Sequence, residues 1–174
     1  EWDEQAKELH RQNRQKTEDE LRLQFGESSF EQKLADFAAF DRIPCSVVSY
    51  HTVFHEQCRN AFVQGAYFPA ATGLCALGEH ILNFLVLNLR DHYHETPLYK
   101  RVRSKESFNK WELMIGALKQ WGVLQPNAAV AFRNLLSLRK EIIHVSPRKT
   151  VRDRDVALAA AAEVRAILDA QFPV

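Results

Sequence analysis

From Ala70 to Leu89 the chain is apolar on almost every side of a helix. A helix of that kind must be buried, so the remaining segments have to wrap it. Its small residues Ala70, Ala71, Gly73, Ala76 and Gly78 allow neighbouring helices to come close. The wrapping segments show the helical period as well. Val47, Tyr50, Phe54, Cys58, Ala61 and Phe62 fall on one face of a helix ending near Gly65. Phe108, Trp111, Ile115 and Leu118 form a stripe on a helix over Ser107 to Trp121, with Gly122 as its stop. Pro126 opens the next helix, which runs through Phe132, Leu135, Leu136 and Leu138 to His144, with Pro147 ending it. Val156, Val164, Ile167 and Leu168 face inward from a last, Ala-rich helix over Val151 to Gln171. Asp91 to Lys105, with Pro97 inside it, reads as a polar loop.

No segment has a period of two. Six Gly and six Pro in 174 residues are too few for the turns of a β-sandwich. The expected class is therefore all-α, a helical bundle over residues 45–174 preceded by a charged N-terminal helical arm over residues 1–44. Trp2, Ala6 and Leu9 give the arm's first helix only a thin apolar stripe, and a second short helix spans Phe30 to Phe40. The longest uncharged stretch, Asn60 to Gly78, holds three glycines and Pro69, so no membrane association is expected. No N-terminal signal peptide is visible. Cys45, Cys58 and Cys75 cannot all pair, and a reduced, cytoplasmic protein is the expectation.

Charge is segregated. Residues 1–42 hold seven Lys/Arg against eleven Asp/Glu, a net −4, whereas residues 97–154 hold thirteen Lys/Arg against four acids, a net +9. The basic half suits a polyanion. The other reading is that the acidic arm packs on the basic half of its own or a second chain.

Arg139 and His144 stand in the pattern R-x4-H at the end of a strongly amphipathic helix, Leu135-Leu-Ser-Leu-Arg-Lys-Glu-Ile-Ile-His144. With the helix order around it, the sequence resembles the HEPN superfamily, whose hallmark is R-x(4–6)-H near the end of its penultimate core helix. Phe62-Val-Gln-Gly-Ala-Tyr-Phe-Pro-Ala-Ala, continuing to Leu77-Gly-Glu79, is similar to that family's early helix pair, which often carries a Glu. The resemblance covers about residues 50–171. Family members credited with ribonuclease activity often carry Asn, Asp or His directly after the Arg; this chain carries Lys140.

The resemblance implies a homodimer that binds RNA and cleaves it without metal or other cofactor, with Arg139 and His144 catalytic. A neutral His can draw the proton from a ribose 2′-hydroxyl, and a guanidinium can hold the extra charge of the phosphorane. It also implies a cytoplasmic defence or toxin–antitoxin setting, with an antitoxin or other protein partner. The rival expectation is a catalytically inactive HEPN-like dimerisation or regulatory module. Five residues turn an ideal helix through about 500°, leaving Arg139 and His144 roughly 140° apart. They converge only if the helix ends or tightens between them.

Lys100, Arg101, Arg103 and Lys105 form a basic run, and Lys140, Arg148 and Lys149 add to it as expected RNA contacts. Glu79 interrupts the apolar helix, and a buried acid needs a partner, here a Lys, Arg or His that could line the motif's cleft. His51-x3-His55 has the spacing of a metal pair, with Cys58 one turn on, but the order is not that of zinc peptidases. The pair reads as a polar helix flank, and no metal site is expected. His92 and His94 read as surface residues.

Overall fold

A computed structural model describes residues 4–40, 49–104, 106–143 and 153–172, and every regular element among them is helical. The helices are α1 (Glu4–Phe25), α2 (Phe30–Ala39), α3 (Ser49–Val63), α4 (Tyr67–Leu89), α5 (Tyr99–Val102), α6 (Trp111–Gln120), α7 (Pro126–Ile143) and α8 (Asp153–Gln171), with a 3-10 turn over Arg90–Tyr93. The all-α bundle with an N-terminal helical arm is what the periodicity predicts.

The apolar helix α4 is the axis. It buries Ala70, Leu74, Leu77, Ile81, Leu82, Leu85 and Val86, and α3, α6, α7 and α8 pack around it. Alanines let α8 lie close: Ala157 and Ala160 are fully buried, beside Val164 and Ile167. The segment Tyr67–Tyr93 contains an 18-residue window with the mean hydropathy (1.5) of a membrane span, and 56% of that window is buried inside the protein, as in a core helix. Gly122 closes α6 with φ of 70°, a left-handed turn that lets Val123 N–H donate to Leu118 O at 3.0 Å.

Two boundaries differ from the sequence reading, and tertiary hydrogen bonds account for both. Helix α6 begins at Trp111, not Ser107, because Asn83 of α4 holds the Phe108 backbone. Its Oδ1 accepts from Phe108 N–H at 2.7 Å, and its Nδ2 donates to Phe108 O at 2.9 Å. The segment read as a polar loop after Asp91 instead carries the 3-10 turn and α5. It is anchored by buried Val102, whose carbonyl accepts from Arg90 Nη1 at 3.0 Å.

The arm's first helix is exposed over most of its length and buries only Leu21 and Phe25. Surface pairs such as Arg14–Glu18 at 2.9 Å add only ~0.3–0.5 kcal/mol each to its outer turns. Its base is better held. Leu21, Phe25, Phe30 and Val63 form a small separate core, and Lys33 Nζ donates to Phe25 O at 2.6 Å.

Candidate functional site

The site begins at Gly78. A Cβ there would lie 2.5 Å from Leu135 Cδ2 and 3.0 Å from the Trp111 ring, so the missing side chain lets α7 and α6 reach the α4 backbone. The next residue is Glu79. At this closest approach its Oε2 accepts a hydrogen bond from Trp111 Nε1 at 2.8 Å and pairs with Arg139 Nη2 at 3.4 Å. Arg139 stands one helical turn after buried Leu135, and its side chain is 33% exposed against 24% for Glu79. The pair is thus neither a core ion pair nor a solvated surface contact. It is a polar seam at the rim of the core, with the guanidinium aimed by a carboxylate that Trp111 holds in place.

Beside the pair lies a cleft of about 170 Å³ between α4 and the end of α7. From α4 it is lined by Thr72, Cys75, Ala76, Glu79 and His80, and from α7 by Arg139, Ile142 and Ile143. Burial pushes the Cys75 thiol up to about 12 and the Cys58 thiol up to about 11, so neither offers a thiolate near neutral pH. Thr72 spends its hydroxyl on Phe68 O at 2.7 Å, a bond within its own helix. Among the described residues no group of three or more His, Cys, Asp or Glu stands together as a metal site would require.

Of the residues singled out from the sequence, the structure brings Arg139 and Glu79 together. Helix α7 is described through Ile143; His144, the residue after it, lies outside the described residues, as do Lys105, Arg148 and Lys149. Lys140 is exposed and does not line the cleft. Lys100, Arg101 and Arg103 are exposed too, the first two on α5, and none of the three reaches the cleft. Arg101 lines a separate hollow with Lys110, Trp111, Glu112 and Leu136.

The two histidines of α3 correct the sequence reading. His51 and His55 are 5% and 4% exposed, so they do not form a polar flank. The His55 ring lies 5.2 Å from that of Phe40, and the His51 ring meets Phe84 edge to face at 5.8 Å. Burial, with Arg59 nearby, lowers the His55 pKa to about 4. His92 and His94 are exposed, as expected of surface residues.

His80 is the functional candidate that the sequence reading passed over. Its signal was its place beside Glu79, which makes two adjacent titratable residues in an otherwise apolar helix. Comparison with family models, with curated proteins and with solved structures finds no match to this chain.

Proposed function

We propose that this chain is a HEPN-like RNA-binding protein that cleaves RNA without a metal, acting as a homodimer. The observation that carries the reading is Arg139. It stands near the end of the penultimate helix, oriented by Glu79 and partly open to a cleft. A guanidinium so held can meet the charge that builds on a pentacoordinate phosphorus, and orienting it beforehand lowers the cost of doing so during the reaction. His144, next in sequence to the cleft residue Ile143, is the base for the 2′-hydroxyl. The products are a 2′,3′-cyclic phosphate and a 5′-hydroxyl. Exposed Lys100, Arg101 and Arg103 offer positive charge to the RNA backbone. The cytoplasmic defence or toxin–antitoxin setting, with an antitoxin as partner, rests on the resemblance.

One observation favours a second reading. The Arg139 charge already has a carboxylate partner, and Lys140 replaces the polar residue common in active relatives. A non-catalytic HEPN-like dimerisation or regulatory module would keep such a pair for its architecture.

Incubation of the purified protein with RNA and EDTA separates the two. On the enzymatic reading the wild type leaves cyclic phosphate ends, and His144→Ala slows cleavage by ~10²–10⁴-fold while RNA affinity changes little. Arg139→Lys is also severely impaired, because an ammonium keeps the charge but loses the two-pronged grip. Light scattering gives about twice the 20.1 kDa chain mass. Early melting of both variants, with no difference in trace activity from wild type, would select the regulatory module.

A further inference from the structure

Three hollows open along one flank of α4, and His80 lines all of them. One is the cleft with Arg139. The second runs toward α3 past Phe54 and Gln57, and the third runs toward Asn83, Phe84 and Ser107. The His80 side chain is exposed, with its ring at 5.7 Å from Phe54 in an edge-to-face contact (interplanar angle 70°). It therefore stands where three grooves meet, next to the arginine on which the proposed chemistry depends.

The other polar groups of the cleft are committed. Thr72 is bonded to its own helix. The Cys75 thiol stays protonated. Glu79 holds Trp111 and Arg139, and a guanidinium does not release its proton in a protein. Among the described residues, the charged and titratable neighbours of His80 are Cys75 and Glu79 on its own helix, Arg139 on α7, His51 and Cys58 on α3, and Glu106 in the segment before α6. Burial and, to a lesser degree, the facing His80 lower the pKa of His51, which favours its neutral form. Among the described residues lining the cleft, His80 is the one imidazole, a side chain able to donate or accept a proton through its ring nitrogens.

Cleavage of RNA by its own 2′-hydroxyl needs two proton transfers at two oxygens. The base takes the 2′-hydroxyl proton, the 2′-oxygen bonds to phosphorus, and the P–O5′ bond breaks with its electron pair going to O5′. An alkoxide leaves poorly, so that oxygen must be given a proton. We infer that His80, as an imidazolium, donates this proton and is a catalytic residue of the same protomer's cleft. It regains a proton from solvent before the next turnover. The inference rests on the RNA-cleaving reading above.

A substrate that needs no acid provides the test. In a 5′-bridging phosphorothiolate the leaving atom is sulfur, which departs as a thiolate without protonation. With EDTA present, the wild type should cut both the ordinary oligoribonucleotide and the phosphorothiolate. His80→Ala should cut the ordinary one ~10²–10⁴-fold more slowly and the phosphorothiolate at close to the wild-type rate, which also shows that the variant is folded. If His80→Ala cuts the ordinary substrate at the wild-type rate, the inference fails while the ribonuclease reading stands. A variant equally slow on both substrates overturns the proton-donor role and leaves His80 a binding or structural residue. If the wild type cuts neither substrate, the ribonuclease reading itself fails and takes the inference with it.

Discussion

His55 shows what burial does to a single side chain. Its ring packs against Phe40 of the arm, and its pKa is lowered to about 4, against 6.5 for the free side chain. The sign of the effect on stability follows. Above pH 6.5 both folded and unfolded chains carry a neutral His55, and the group has no influence. Between 6.5 and about 4 the unfolded chain takes up a proton that the folded one refuses, so stability falls as pH falls. At ~1.4 kcal/mol per pH unit the loss approaches ~3 kcal/mol at the acid end of that window. Urea denaturation at several pH values should show this decline, and His55→Phe, which keeps a ring against Phe40, should flatten it. An unchanged decline would assign the acid sensitivity to other groups. The i, i+4 spacing of His51 and His55 was plain in the sequence. That Phe40 and Phe84 cover them was not, because the apolar partners come from other parts of the chain. Arg139 and Glu79 were each conspicuous in sequence for the same kind of reason: one belongs to a motif, the other interrupts an apolar run. Their meeting depends on how α4 and α7 are registered, and no local pattern encodes that.

Between helices, that register turns on Gly78. Replacing it with Ala gains roughly 1 kcal/mol of helix propensity but drives a methyl group into Leu135 and Trp111, both buried. Overpacking of this kind typically costs ~1–3 kcal/mol, so a net loss is expected. Gly116 of α6 is the opposite case. Among the described residues a Cβ there meets only Leu98 Cδ1 at 4.0 Å, so Gly116→Ala should stabilise by ~0.5–1 kcal/mol. Urea midpoints should move in opposite directions for the two variants; a rise in both would mean that propensity alone governs both sites. The helices themselves were readable because each shows the helical period over several turns. Their ends were less so. The start of α6 is decided by Asn83, twenty-five residues away from Phe108, and α5 is anchored by the bond from Arg90 to Val102 O. Side chains that act across such distances leave no mark in the pattern of the segment they terminate.

The unequal charge of the two halves of the chain has one clear structural expression, a buried carboxylate. Asp36 of the acidic arm is 1% exposed. It accepts from Gln32 and Tyr67, each at 2.8 Å, and Arg154 at the start of α8 donates to it through Nε at 2.9 Å. A second Arg154 nitrogen, Nη2, lies 2.9 Å from the same oxygen, and the guanidinium sits 5.7 Å from the Phe62 ring. The arm thus meets the basic half of its own chain, one of the arrangements that the charge pattern allows. Because α2, α4 and α8 all contribute, this cluster fastens the beginning of the chain to its last helix. Breaking a buried pair leaves a stranded charge and typically costs ~3–5 kcal/mol. Arg154 is 35% exposed, which lets water reach its side of the pair, so Arg154→Met should fall at or below the bottom of that range, at ~2–3 kcal/mol. Limited proteolysis of that variant should cut the arm first, since α1 has little else to hold it. Replacing both partners, as in Asp36→Leu with Arg154→Met, removes the stranded charge along with its mate. The double variant should therefore lose less than the sum of the two single losses, by ~1 kcal/mol or more. Strict additivity in a double-mutant cycle would mean that the two side chains are not coupled, and that the arm is held by its apolar contacts, such as Phe40 on His55 and Phe62 and the small core around Phe25 and Phe30.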